Sequence, residues 1–373
     1  MEQMLHGPSF VVPGVRSLRW RDAGSGPAGH IDSRPIPNEG RRPADLISNG
    51  ENGLKRILVT GAGGQIGSWL VPELRRLYGD ANVLATDVRQ LDVDVTEAGP
   101  FQVLDATHAR SVGQAVMRHE ADTVFHLAAI LSAIGERDPR LAWHVNMASL
   151  EAVLEVAREQ GCAVFTPSSI GVFGPGTPKD PTPQDTVMRP ATMYGITKVA
   201  GELLCDYYHT RYGVDTRGVR FPGLISYGAP PGGGTTDWAV EIFHQAVEHG
   251  RYSCFLGPDT QLDMMYMPDA IRAIIQVMEA DPGRLAHRNA FNVTAMQLAP
   301  ERLAAEIRKH VPAFEIVYDV DPVRQSIAES WPDRIDDSAA RSEWDWQPEF
   351  GIGDMTADML EHIHGASSDT GRV

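Results

Sequence analysis

From Lys55 onward the apolar positions follow two alternating rhythms. Short runs such as Ile57-Leu58-Val59-Thr60 are almost wholly apolar, and longer stretches carry apolar residues every three or four positions. The runs read as strands buried on both faces and the stretches as amphipathic helices. The spacing predicts strands over 57–60, 82–87, 102–105, 123–128, 163–168 and 216–221. Between them it predicts helices over 64–78, 108–119, 141–160 and 192–212. Strand and helix in repetition predict an α/β fold, with a Rossmann-type doubly wound parallel sheet covered on both faces. After Pro222 the rhythm changes. Residues 229–237 hold three glycines and two prolines and must form a loop, with Gly232–Gly234 as a candidate hinge. Shorter elements follow: helices near 237–249, 268–280, 300–310 and 354–363, and strands near 262–266, 290–293 and 315–319. The run Met264-Met265-Tyr266-Met267 reads as core, and the polar tail from Ser367 as frayed.

Residues 1–53 lack this rhythm and read as an irregular N-terminal extension rich in Gly, Pro, Arg and Ser. Arg16, Arg19, Arg21, Arg34, Arg41 and Arg42 suit an organelle presequence, whereas Glu2, Asp22, Asp32, Glu39 and Asp45 oppose one. The expected compartment is cytoplasmic, or mitochondrial if the extension is a presequence. The remainder is an ordinary globular mixture, 42% hydrophobic and 22% charged. The net charge of 33 − 49 = −16 disfavours nucleic acid as a partner. No apolar run reaches the roughly 18–20 residues of a membrane span, so no membrane partner is expected. Cys162, Cys205 and Cys254 are far apart in sequence and have no metal-ligand spacing around them. They are expected as reduced thiols, without a disulfide framework or metal site.

Chemistry enters with Gly61-Ala62-Gly63-Gly64-Gln65-Ile66-Gly67, which follows the first strand and opens the first helix. Gly61, Gly64 and Gly67 permit a tight turn and close backbone approach, with Gln65 and Ile66 at the helix start. A pyrophosphate can then meet the helix N-terminus, as in dinucleotide-binding turns. Asp87 ends the second strand, 87 − 67 = 20 positions beyond the last glycine. An acid there accepts from a ribose 2′-hydroxyl and repels a 2′-phosphate, predicting NAD as the cofactor over NADP, with Arg89 weakening the preference. Asp105-Ala106 and Leu127-Ala128-Ala129 end two further strands and are expected along the cofactor, Asp105 accepting from the adenine amine. His126 reads as a structural histidine, and Asn146 as a structural or water-holding group.

Tyr194 and Lys198 are four positions apart within the 192–212 helix and share one face. A lysine ammonium beside a phenol favours the phenolate and makes tyrosine a usable general base. With Ser169 at the end of the 163–168 strand and a nicotinamide cofactor, these residues compose an alcohol dehydrogenase site.

As a set, the glycine triplet, Asp105, the His126–Ala129 segment, Ser168-Ser169 and Tyr194-x-x-x-Lys198 resemble the extended short-chain dehydrogenase/reductase family, from about Lys55 to Phe350. Within it the chain is similar to the L-threonine 3-dehydrogenases of the short-chain type. That likeness is carried by Leu131–Glu136, Pro167–Gly174, Arg220–Ser226, Pro231–Asp237, Ala328–Pro332 and the Asp336–Trp346 segment. The resemblance implies oxidation of the β-hydroxyl of L-threonine to L-2-amino-3-oxobutanoate, with NAD reduced. By matching positions it implies that Tyr194 takes the hydroxyl proton and that Lys198 holds the nicotinamide ribose and lowers the phenol pKa. Ser169 would bond the reacting oxygen. Phe221, Gly223 and Leu224 would lie along the nicotinamide, with Ser132, Thr235 and Thr236 at the amino-acid end of the substrate. It further implies a homodimer seamed by the 141–160 and 192–212 helices. The expected layout is an NAD-binding Rossmann domain over 54–222 and a mainly substrate-binding region over 223–366, some of whose segments return to the first. The alternative reading is an NAD-dependent nucleotide-sugar epimerase or dehydratase, which would use the same catalytic residues.

Overall fold

The computed structural model describes residues 54–228 and 234–369. The readings of residues 1–53, presequence included, and of Gly232 and Gly233 as a hinge lie outside the described residues.

The first half alternates as its rhythm predicts. In order come β1 (Ile57–Thr60), α1 (Gly67–Tyr78), β2 (Val83–Asp87), α2 (Val93–Glu97), β3 (Phe101–Val103), α3 (Ala109–His119) and β4 (Thr123–His126). Then follow α4 (Ser132–Arg137), α5 (Pro139–Gln160), β5 (Ala163–Phe165), β6 (Ser168–Ser169), α6 (Met193–Tyr212), β7 (Thr216–Arg217), β8 (Val219–Phe221) and β9 (Gly223–Ile225). Six strands form one parallel sheet in the order β3-β2-β1-β4-β5-β7. Alternation along β1 sends Ile57 and Val59 to a core on one face and Leu58 to a core on the other.

The two long helices have identifiable ends. Asp138 caps α5 by accepting from Leu141 N at 3.0 Å, Pro139 occupies its first turn, and Gly161 ends it at φ 76°. Thr192 caps α6 by accepting from Gly195 N at 3.1 Å, and Gly213 ends it at φ 72°. α5 and α6 pack against each other. Leu141, Trp143, Ile196, Leu203, Tyr207 and Tyr212 remain exposed on this helix pair.

Two strands expected as continuous are split. Pro167 has no N–H for the ladder, so the 163–168 strand becomes β5 and β6. Gly218 separates β7 from β8. Its N–H donates to Arg288 O at 2.9 Å, and its carbonyl accepts from Phe291 N at 2.9 Å. β6, β8 and β12 (Phe291–Asn292) then form their own parallel sheet, with Ser168 opposite Arg220 and Ser169 opposite Phe221. This offset swings Ser169 and Phe221 away from the main sheet.

Beyond β9 the chain holds more structure than its pattern suggests. Alongside the expected α7 (Trp238–His249), β11 (Leu262–Tyr266), α8 (Met267–Glu279), β12, α9 (Pro300–Ile307) and β14 (Glu315–Tyr318) are β10 (Arg251–Cys254), β13 (Met296–Leu298), α10 (Pro322–Ala328) and α11 (Ser338–Trp344). The last helix, α12 (Ile352–Asp369), continues through Ser367, so the expected fraying there is corrected. A third core gathers Trp238, Phe243, Tyr252, Leu298 and Met359. The methionine run is core: Met265 and Met267 face the β-sheet core, and Met264 and Tyr266 face the third. α8, Phe291, Trp344 and Trp346 return to the sheet core, and Trp331 packs partly buried at the edge of the third. Among the described residues no helix is long and apolar enough to cross a membrane.

Candidate active site

The cofactor candidates and Ser169 lie at or shortly beyond C-terminal strand ends of the parallel sheets, where α/β folds bind ligands, whereas Tyr194 and Lys198 come from α6. Gly61 leaves β1 at φ +72°, and a Cβ there would stand 2.7 Å from Ala128 N. At Gly67 a Cβ would stand 2.4 Å from Gly61 O. Both positions therefore exclude side chains by contact, and Gly61 by conformation as well. Gln65 and Ile66 lead into α1, whose first turn has no acidic residue and no capping side chain. The positive end of that helix faces the loop undisturbed. Asp87 is buried at the end of β2, where Oδ2 accepts from Gly63 N at 3.0 Å and Oδ1 from Arg89 N at 3.2 Å. A side chain is thus locked to the loop it would serve. Leu127 and Ala128 lie directly against Gly61. This cradle suits a dinucleotide.

Asp105 is tied into the turn that follows β3. Its Oδ1 accepts from Thr107 N at 2.9 Å and from Thr107 Oγ1 at 2.7 Å, which shapes the entry to α3. Its Oδ2 lies 3.3 Å from His108 Nδ1, and the residue is exposed beside buried Ala106.

Tyr194 and Lys198 sit in the first turns of α6, facing β6. The Ser169 hydroxyl accepts from Gly171 N at 3.1 Å and flanks Gly171 together with the Tyr194 ring, close enough to favour the phenolate. Lys198 Nζ lies 5.5 Å from the Tyr194 ring centroid and donates to Pro167 O at 2.7 Å. Burial pushes the Tyr194 phenol up to about 12, and the Ser169 hydroxyl opposes this. The expected lowering by Lys198 is not met in this arrangement. The ammonium is engaged by a carbonyl and faces the ring rather than the hydroxyl, so desolvation wins. Burial also brings Lys198 itself down to about 8, against the pull of the Glu202 carboxylate.

Two neighbours hold the frame. His126 is buried between Thr60 Oγ1 at 2.8 Å and Ser149 Oγ at 3.2 Å. Burial, and then the Lys198 charge, drag it to about 3, so it is neutral and acts structurally. Asn146 Oδ1 accepts from Ile130 N at 2.7 Å, and its Nδ2 donates to Ile130 O and Thr197 Oγ1, each at 3.1 Å. It clamps the Leu127–Ile130 segment onto α6.

The start of α6 has no spare room. A Cβ on Gly195 would stand 2.1 Å from Gly171 O and 2.5 Å from the Pro190 Cβ. Gly195→Ala is expected to destabilise the fold by about 1–3 kcal/mol, the usual cost of overpacking. It should also move Tyr194 off Ser169 and lower kcat. Urea unfolding and steady-state rates on the same preparation check both effects.

Candidate substrate residues gather less tightly. Thr236 Cγ2 would be 2.8 Å from a Cβ on Gly223, which pairs with Met264 in the β9–β11 sheet. Thr235 is buried in the turn it shares with Thr236, where Gly234 N donates to Asp237 Oδ2 at 2.7 Å. Leu224 is half-buried next to Gly223 in β9. Ser132 opens α4, which packs on α6 and whose Glu136 accepts from Met193 N at 2.7 Å. Thus Tyr194, Lys198 and Ser169 meet, with Phe221 paired to Ser169. Thr236 reaches Gly223, and Ser132 is linked to Tyr194 only through α4. Sequence reasoning missed Glu202 and Arg220, a buried ion pair at 2.9 Å beneath this group. The available signal was the four-residue step from Lys198 to Glu202, which places both on one helix face.

Comparison with known proteins agrees with this geometry. Residues 57–293 match the model of the NAD dependent epimerase/dehydratase family. An uncharacterized epimerase/dehydratase of Staphylococcus haemolyticus is 54% identical over 311 residues, covering 83% of this chain and 98% of that protein. The solved L-threonine dehydrogenase of Clostridium difficile is 52% identical, with a TM-score of 0.83, over 84% of this chain and 98% of its own. The holo form of a GalE-like L-threonine dehydrogenase from Cupriavidus necator is 51% identical, with a TM-score of 0.80, over 83% of this chain and 99% of its own.

Proposed function

This chain belongs to the NAD-dependent epimerase/dehydratase family and is an NAD-dependent enzyme of the extended short-chain oxidoreductase type, and on that premise we propose that it oxidises the β-hydroxyl of L-threonine. The products are L-2-amino-3-oxobutanoate, NADH and a proton. The observation that carries the reading is the convergence of Ser169, Tyr194 and Lys198. Identity of 51–52% with solved threonine dehydrogenases over 83–84% of the chain supports threonine as the substrate.

In this reading Tyr194 accepts the hydroxyl proton and Ser169 holds the reacting oxygen. Lys198 supplies positive charge beside them. Gly61, Gly64, Gln65, Ile66 and Gly67 cradle the cofactor phosphates, Asp87 takes the adenosine ribose, and Ala106, Leu127, Ala128 and Ala129 line the way to the ring. Phe221, Gly223 and Leu224 flank the nicotinamide. When bound, the oxidised cofactor supplies the hydride acceptor and a positive ring that favours the phenolate. Ser132, Thr235 and Thr236 orient the amino-acid end. Residues 54–222 form the cofactor-binding part and 223–366 the mainly substrate-binding part. A homodimer across α5 and α6 would cover their exposed Leu203, Tyr207 and Trp143, although one similar L-threonine 3-dehydrogenase is described as monomeric.

Threonine with NAD should produce absorbance at the NADH band, and UDP-sugars should not turn over. Sugar turnover without threonine oxidation would replace this reading with the epimerase or dehydratase one.

A further inference from the structure

Beneath the reacting pair lies a buried charged chain that the proposed reaction leaves unused. Glu202 follows Lys198 by one helical turn and is 5% exposed, and Arg220 on β8 is 4% exposed. Arg220 clasps the carboxylate in a fork, with Nε at 3.0 Å from Oε1 and Nη2 at 2.9 Å from Oε2. Both donors of Arg220 Nη1 are spent, on Gln184 O at 2.8 Å and Asn292 Oδ1 at 3.1 Å. The hydroxyl of Ser168 donates to the same carboxylate. Ser168 pairs with Arg220 across the β6–β8 ladder, and the next pair along is Ser169 with Phe221. One carboxylate therefore ties the helix bearing Tyr194 and Lys198 to the strand bearing Ser169 and to the strand leading into Gly223.

The inner side of Lys198 opens on a small, mainly apolar cavity whose polar lining groups include His126, Asn146, Thr197, Glu202 and Asn289. Around this cavity the groups that bear on the ammonium can be named. His126, from β4, is neutral. The Tyr194 phenol and the Cys205 thiol, both on α6, are pushed up by burial and uncharged at neutral pH. Arg220, from β8, is cationic and lies against Glu202. Asp206, next on α6, is exposed and bonded by Asn289 Nδ2 at 3.1 Å. Glu202 is the buried anion among them. A buried ammonium without such a counter-charge gives up its proton.

We propose that Glu202 is a positioning residue that keeps the Lys198 side chain charged and aligned with Ser169, acting through the buried chain Ser168–Glu202–Arg220. The inference deepens the reading of the site given above and rests on it for its kinetic arm alone.

The test follows Lys198 directly. The lysines of the chain are Lys55, Lys179, Lys198 and Lys309, so the 13Cε resonances of labelled protein are few and can be assigned with a Lys198→Arg variant. Glu202→Gln should lower the Lys198 titration midpoint by about one pH unit or more, the usual effect of losing an opposite charge at short range. The alkaline limb of kcat with threonine should move to lower pH by the same amount. The sign follows from the lysine needing its proton, which it then loses sooner as pH rises. Ser168→Ala removes the hydroxyl donor and leaves the charge, so the midpoint should stay in place. An unmoved midpoint in folded Glu202→Gln overturns the proposal, as does an equal shift in Ser168→Ala. If stranding Arg220 prevents folding, Glu202→Gln combined with Arg220→Met removes the pair without leaving a lone buried cation. The double variant is compared with Arg220→Met alone, and an equal midpoint in the two is equally fatal. Failure of the wild type to oxidise threonine would sink the functional reading and leave the lysine titration as an independent result.

Discussion

Tyr194→Phe should lower kcat for threonine by about 10²–10⁴-fold, the range that general base catalysis contributes, and leave NAD affinity as it is. The substitution removes one oxygen. The ring stays, so Lys198 keeps its place 5.5 Å from the centroid and its bond to Pro167 O. The glycine loop and Asp87 are unaffected, so binding and chemistry separate cleanly. The pH profile gives a second signature. Burial holds the Tyr194 phenol up, at about 12, and the base works only after losing its proton. In the wild type kcat should therefore rise with pH until Lys198, brought down to about 8 by burial, begins to lose its charge. The positive ring of oxidised NAD pulls the phenol pKa down in the ternary state and sets where the rise begins. The phenylalanine variant should lack this rising limb. Steady-state NADH formation from pH 6 to 10, with NAD binding followed by fluorescence, distinguishes the outcomes. Full activity in the variant would assign the base elsewhere.

The sequence disclosed the cofactor half of the site far better than the rest, for physical reasons. β1, β2 and β4 are buried on both faces, so their residues must be apolar almost without a break. Their ends are marked by residues that backbone geometry demands, such as Gly61 with its positive φ. Tyr194 and Lys198 were visible because helical spacing alone puts them together. The second half gave weaker signals. β10 alternates exposed and buried positions over only four residues, and β13 has three, too few for a period to register. The break at Gly218 depends on partners seventy or more residues away, since Gly218 bonds to Arg288 and Phe291. The Glu202–Arg220 pair was hidden for a similar reason. A charged residue on a helix looks solvent-exposed until the fold brings a strand arginine to it. The pKa of Tyr194 likewise could not be read from spacing, because it turns on which way Lys198 Nζ points.

Replacing Asp87 should reduce the preference for NAD over NADP by about 10- to 100-fold in kcat/KM, the equivalent of about 1.5–3 kcal/mol for a hydrogen bond to a charged group. Two effects add with the same sign. The variant loses an acceptor for the ribose hydroxyl, which raises the KM for NAD, and loses a charge that repels a 2′-phosphate, which lowers the KM for NADP. Arg89 amplifies the second. Its Nε is 3.8 Å from Asp87 Oδ1, and without the carboxylate the guanidinium is free to meet phosphate. The bond from Gly63 N to Asp87 Oδ2 introduces a competing contribution. Alanine would also slacken the glycine loop and weaken both cofactors alike, whereas asparagine keeps an acceptor for Gly63 N and gives up the charge and the exposed acceptor bonded by Arg89 N. Asp87→Asn should therefore shift the cofactor ratio with little loss of total activity, and Asp87→Ala should shift the ratio and depress both rates. The comparison is of kcat/KM for each cofactor at saturating threonine. An unchanged ratio in both variants would mean that the side chain serves the loop alone and that discrimination between the two dinucleotides arises elsewhere on the rim.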